Sequence, residues 1–280
     1  MHGYFRNLAL FILIAAASTF SAAAIGAQTS GRSPSSAASG AISPARPFKA
    51  GETLNYEGKI SKIISGISVA DLTMTVADGP TSGDYLIRAS ARSKGTLLSF
   101  FRYSFLYEFA SNVDGSSFRI ERTVRKTTER DRVRNGEAQF NYGEKLVTYV
   151  ETDPKAPMSP PRRIASSIEE QTYDVVSGIY AMRMLPLEVG KKFVLAISDS
   201  GLVYEIPVTV TGRELEKTVI GKVWCFKVEP DVFGPNRMIE NEGKMAIWIT
   251  DDERRVPVRS VINASIGKIE IKLRSATNLK

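Results

Sequence analysis

Phe101-Arg102-Tyr103-Ser104-Phe105-Leu106-Tyr107-Glu108-Phe109 carries an aromatic ring at every second position. Successive side chains of a β-strand point to opposite faces, so on a strand Phe101, Tyr103, Phe105, Tyr107 and Phe109 share one face. Two readings of that face stay open. It is the apolar core of a sheet, or it lines a site for an apolar ligand, since such sites are mostly apolar with a few placed polar groups.

The same period of two runs outward in both directions. Leu54, Tyr56, Gly58 and Ile60 share a face of a first strand, and Ala70, Leu72, Met74 and Val76 a face of the next, which ends at Gly79-Pro80. Tyr85, Ile87, Ala89 and Ala91 follow. Asn135-Gly136 between 129–134 and 137–142 predicts a hairpin turn, because both residues tolerate positive φ. Asp199-Ser200-Gly201 predicts a second, joining 193–197 to 203–210. Pro207 cannot donate to a ladder and marks an edge or a bulge. Strands are expected over 222–228, 244–250, 258–265 and 269–273, and the four prolines of 153–163 mark a loop. One segment departs from the alternation. Tyr173, Val176, Ile179, Tyr180 and Met184 fall at three- and four-residue spacing, which predicts a helix over about 173–185 with Thr172 as N-cap and Pro186 as its stop. A short helical turn is expected near 97–102. The fold expected is mostly β: a single domain, an antiparallel, incompletely closed barrel or β-roll with one main helix packed against it.

Before Phe48 the composition changes. The short basic start, the apolar run Leu8–Ala17 and the Ala22-Ala23-Ala24 site describe a cleaved signal peptide over 1–24, and the run is too short to span a bilayer as a helix. Residues 25–47 are rich in Ser, Ala, Gly and Pro and read as a flexible linker. The domain occupies 48–280, and the expected location is the periplasm. Cys225 is the single cysteine, so stability rests on a hydrophobic core and not on internal disulfides.

The one histidine, His2, lies in the signal peptide. A mature chain without histidine or a cysteine pair excludes Ser-His-Asp and Cys-His catalysis and zinc sites built from those ligands. Walker, nucleophile-elbow, dinucleotide-binding and EF-hand motifs are absent. Asp251-Asp252-Glu253, the densest acidic cluster, reads as a turn before Arg254-Arg255. No cofactor is expected and no catalytic residue is assigned.

The formal charge is +7, or +6 once Arg6 leaves with the signal. Arg119, Arg122, Arg125, Lys126, Arg130, Arg132 and Arg134 crowd one hairpin. They read as a solvated face or as a contact surface for acidic envelope material. Nucleic acid, the usual partner of such a stripe, is not expected outside the cytoplasm.

Three stretches carry a family resemblance. They are Phe48–Tyr56; Tyr173-Asp174 through Ser177, Tyr180 and Arg183 to Pro186-Leu187 and Gly190; and Ile247–Asp252 through Arg255–Val258 to Ile266-Gly267. In order and spacing the sequence resembles the bacterial envelope family of domain of unknown function 3108. The resemblance implies an envelope location and a β-rich fold, and carries no activity. Gly178 stands where the pattern has Ala, and Asp174 and Arg183 are expected to cap the helix or bridge it to the sheet. The expected function is a non-catalytic binder or carrier of a lipid or other amphiphile. The alternatives are an envelope scaffold acting through protein or wall contacts, and a histidine-free enzyme using paired carboxylates.

Overall fold

The computed structural model describes residues 46–61, 66–265 and 267–280; the signal peptide and all but the end of the linker lie outside the described residues. The first half of the chain lays down β1 (Thr53–Ser61), β2 (Ile67–Asp78), β3 (Tyr85–Ser93), β4 (Phe105–Val113), β5 (Ile120–Glu129), β6 (Arg132–Asn141), β7 (Leu146–Thr152) and β8 (Arg162–Ser167). The second half adds β9 (Thr172–Asp174), β10 (Lys192–Asp199), β11 (Leu202–Thr218), β12 (Gly221–Pro230), β13 (Gly243–Thr250), β14 (Pro257–Ala264) and β15 (Gly267–Thr277). Two helices interrupt them, α1 (Gly95–Phe101) and α2 (Val175–Met184).

All 15 strands form one sheet in the order β8 to β1, then β15 down to β9. The first strand pairs with the last, Thr53 opposite Thr277, and every neighbouring pair is antiparallel except β9 with β10. The two edge strands, β8 and β9, are consecutive in the chain and separated only by Ile168–Gln171. Five Cα steps reach at most about 18 Å, so the sheet must curl until its edges meet. It is a barrel with a seam where no ladder forms. Packing closes that seam. At Gly201 (φ +83°), in the β10–β11 turn, a Cβ would lie 2.6 Å from Cβ of Tyr149 on β7 and 3.0 Å from Cβ of Ile164 on β8.

Alternation fills the interior. On β1 every second residue is buried, with Leu54, Tyr56 and Ile60 inside, and Tyr56 Oη donates to Pro257 O at 2.9 Å. Each aliphatic or aromatic side chain so buried contributes about 1.5–3 kcal/mol. Helix α2 follows β9 directly and lies inside the curl, with Val176, Tyr180 and Ala181 fully enclosed.

Three local expectations are corrected. Asn135-Gly136 is not a turn: both residues lie within β6, and the chain reverses at Arg130-Asp131, with Arg130 at φ 55°. Gly136 is needed there for another reason. The Tyr149 ring lies across it, and a Cβ would sit 2.3 Å from Tyr149 Oη. Gly136→Ala is therefore expected to cost about 1–3 kcal/mol by overpacking, read as a lower urea midpoint; an unchanged midpoint would mean that the ring yields freely. The cap of α2 is Asp174 rather than Thr172, in a reciprocal capping box with Ser177. Pro207 lies in an interior strand, one residue before Val208, where the β11–β12 pairing begins, and its carbonyl accepts from Asp231 N at 2.8 Å. The turn at Ser200-Gly201, with φ 53° and 83°, is the hairpin expected.

Candidate functional site

The aromatic row is divided. Phe101 is the last residue of α1 and not on the strand, because Arg102 ends that helix in the left-handed conformation and β4 begins only at Phe105. Tyr103, Phe105, Tyr107 and Phe109 are buried. Phe105 and Tyr107 stack at 5.2 Å between centroids, and Tyr103 lies 6.3 Å from Phe105. Tyr107 donates to Glu129, and burial, with that carboxylate beside it, holds the phenol far above its usual range. Phe109 borders a cavity of about 30 Å³, room for a water but not an acyl chain. These four rings are packed interior.

The basic hairpin is divided as well. Arg122, Lys126, Arg130 and Arg132 face solvent, while Arg134 is partly buried against Asp153 at 2.5 Å. Arg122 is held bidentate by Glu137 at 2.8 and 2.7 Å. Arg125 does not belong to any contact surface: it points inward and is 4% exposed. Its Nη1 donates to Asp199 on β10 at 3.0 Å and its Nη2 to Glu151 on β7 at 3.1 Å, so one guanidinium ties the two halves of the sheet across the seam. Beside it, Asp174 on β9 accepts from Thr123 Oγ1 at 2.5 Å and from Ser111 Oγ, both from the opposite half, and from Ser177 N at 2.8 Å. Asp174 thus caps α2 and stitches the seam with the same carboxylate. At the other end of α2, Arg183 makes a fully buried bidentate pair with Glu52, at 2.5 and 2.8 Å.

A wholly apolar crevice lies between α2 and the sheet. Val175, Gly178, Ile179 and Met182 of the helix face Leu195 of β10, Ile206 of β11 and Ile247 of β13. Val232 and Met238, from the irregular segment after β12, close it. Gly178 brings the helix near β10, since a Cβ there would lie 2.6 Å from Ile197 Cδ1. The crevice holds about 40 Å³. No pattern in the sequence marks it, because its lining comes from α2, strands β10–β13 and the segment after β12, which are separate in the chain.

Cys225 is buried, and burial pushes its thiol up to about 12, so it is no nucleophile near neutral pH. Among the described residues no three His, Cys, Asp or Glu side chains are placed to hold a metal ion, and no helix is long and apolar enough to cross a membrane. On the outer face, Glu57 accepts from Ser68 at 2.6 Å, Lys94 at 2.9 Å and Arg274; the Lys94 and Ser68 hydrogen bonds chiefly hold its carboxyl down to about 2. A depressed folded pKa contributes stability above the unfolded value near 4.5 that is lost as pH falls toward 2. Urea midpoints at pH 5 and pH 3 should therefore differ less for Glu57→Gln than for the natural chain; equal differences would contradict the assignment.

Comparison with known proteins agrees with this architecture. The family model described as "Protein of unknown function (DUF3108)" matches residues 53–274. The fold is similar to that of a beta-barrel-like protein of domain of unknown function DUF1849 from Brucella abortus, with a TM-score of 0.56, 10% identity, and coverage of 86% of this chain and 100% of that one. More distant is a Bacteroides fragilis protein of YmcC-like fold, proposed to be exported, with a TM-score of 0.33, 12% identity, and coverage of 83% and 98%. A proposed lipoprotein from Parabacteroides distasonis has a TM-score of 0.33, 9% identity, and coverage of 84% and 100%. At 10% identity the likeness to the DUF1849 protein concerns the fold alone. No curated protein matches the sequence.

Proposed function

The chain belongs to the DUF3108 family, whose function is unknown, and from that footing we propose that it is a non-catalytic binding protein of the bacterial envelope, holding the acyl chain of a lipid or other amphiphile between α2 and β10–β13. The observation that carries this reading is the crevice lining, in which every side chain is apolar and two are methionines. Methionine adapts to irregular apolar partners, and small-molecule sites are lined mostly by apolar side chains. Tyr103, Phe105, Tyr107 and Phe109 take no part, since none of them lines the crevice. At about 40 Å³ the crevice is closed to an acyl chain, so loading requires the segment carrying Val232 and Met238 to swing outward. That segment joins β12 to β13 and its one β-bridge, Phe233 with Ile239, lies within it. The envelope location is supported by the signal-type N-terminus. The absence of histidine from the mature chain and the buried thiol support a binding role over a catalytic one.

Native mass spectrometry of the mature protein from its own periplasm, followed by organic extraction, tests the proposal. A stoichiometric amphiphile is expected. Ile179→Asp, which puts a carboxylate on a half-buried position of the crevice wall, should lower its occupancy at least about tenfold while leaving the fold intact. Protein that is empty in every preparation would overturn the reading.

A further inference from the structure

The β11–β12 hairpin has two unlike faces. Glu214 and Glu216 lie on one, where Glu214 accepts from Trp248 Nε1 at 2.8 Å and Glu216 from Arg259 Nη1 at 2.9 Å, fastening the hairpin to β13 and β14. The opposite face pairs Leu215 with Trp224 and Lys217 with Lys222 across the ladder. Leu215 and Trp224 are 43% and 47% exposed, and Arg213 stacks over the Trp224 ring at 4.4 Å. Two features of this face work against the isolated protein. Like charges directly opposite on paired strands destabilise the pair, and neither Lys217 nor Lys222 has an ion-pair partner among the described residues. The turn itself is Val219-Ile220, with Val219 51% exposed, where turns ordinarily carry Gly, Asn, Asp or Pro. Thr218 holds that turn by accepting from Ile220 N at 3.1 Å and donating to Gly221 O at 2.9 Å, so the apolar tip is built and not frayed.

We propose that this face docks on an anionic lipid surface, with Val219, Leu215 and Trp224 entering the interface and Lys217 and Lys222 meeting phosphate headgroups. Tryptophan is favoured at the boundary between headgroups and acyl chains, and basic side chains beside apolar ones characterise interfacial elements. The lipid supplies the charge that the two facing lysines lack. The proposal stands apart from the crevice and its contents, since the hairpin face shares none of its lining residues.

Vesicle co-sedimentation of the delipidated mature protein, with tryptophan emission recorded in parallel, tests it. Vesicles containing phosphatidylglycerol should pellet the protein and shift its emission to the blue, and vesicles of phosphatidylcholine alone should do so weakly. Each lysine near such a surface contributes about fivefold in partitioning, so Lys217→Glu with Lys222→Glu should lose more than about 25-fold. Val219→Asp should lose at least about tenfold. All three positions are exposed, and unchanged thermal melts would show that the fold is kept. Their ligand content by mass spectrometry should be unaltered, which separates failure here from failure of the crevice reading. Natural protein that ignores anionic vesicles, or variants that bind them as well as it does, would overturn the proposal; the former result would leave the face to a protein partner.

Discussion

Arg183→Met is expected to lower the unfolding free energy by about 3–5 kcal/mol, because it leaves the Glu52 carboxylate buried without its cation. Both side chains are fully buried. Burial is the largest influence on Arg183 and opposes its charge, yet the hydrogen bonds and the charge of Glu52, with Tyr180 and Tyr56 nearby, together hold the guanidinium above its ordinary pKa. The same group donates to Pro47 O at 3.2 Å and Arg254 O at 3.0 Å and lies over the rings of Phe48 and Tyr180, at 5.1 and 5.0 Å. It therefore joins the start of the domain, the end of α2 and the β13–β14 turn at one point. Methionine keeps most of the volume, so the loss isolates the charge. Glu52→Leu combined with Arg183→Met should recover more than half of it, since an apolar pair removes the stranded carboxylate. Urea denaturation of the single and double variants measures both effects. A single variant within about 1 kcal/mol of the natural protein would contradict the assignment.

Arg125→Met is expected to cost a similar amount, about 3–5 kcal/mol, with a different distribution. Removing the cation leaves Glu151 and Asp199 facing each other from opposite sides of the seam, each 9% exposed. Their repulsion acts where the sheet has no ladder to resist it. Hydrogen exchange should therefore accelerate first at β8, β9 and the Ser200-Gly201 turn, while the β1–β15 junction stays protected. Exchange that rises evenly over all strands would mean that the guanidinium supports the fold globally and does not latch the seam. Arg183→Met offers the contrast, since its contacts lie away from that edge.

The strand pattern was legible because alternation survives in nearly every strand. The β-bulge that turns Arg125 inward was not. Ile120 and Val124 are both apolar and of like parity, which on a regular strand would put them on one face with Arg122 and Lys126. The β4–β5 ladder instead skips Glu121: Arg122 pairs with Asn112 and Ile120 with Val113, and every later residue of β5 changes face. One extra residue thus converts a reading of seven surface cations into a buried latch and a solvent-facing remainder. Asn135-Gly136 misled for a related reason. Its composition is that of a turn, but the glycine answers to a ring on the neighbouring strand, a contact that no local signal carries. Phe101 extends the aromatic alternation by a residue that the helix claims first. Asp174 and Arg183 were legible as bridging residues through the family pattern alone, and the structure supplies their partners, Ser111, Thr123 and Glu52. The crevice was out of reach of any linear reading, since α2, β10–β13 and the segment after β12 meet only in three dimensions.

The most direct test of the crevice as a ligand site is methyl NMR of the methionines in the mature protein, titrated with a lysophospholipid below its micelle concentration. Met182 and Met238 line the crevice, whereas Met74 packs inside β2 and Met158 is 95% exposed on the proline-rich loop. The methyl resonances of Met182 and Met238 should shift together and saturate at one ligand per protein, with Met74 and Met158 unmoved. Saturable binding that leaves Met182 and Met238 in place, or the absence of any saturable shift, would contradict the claim that this crevice holds an acyl chain.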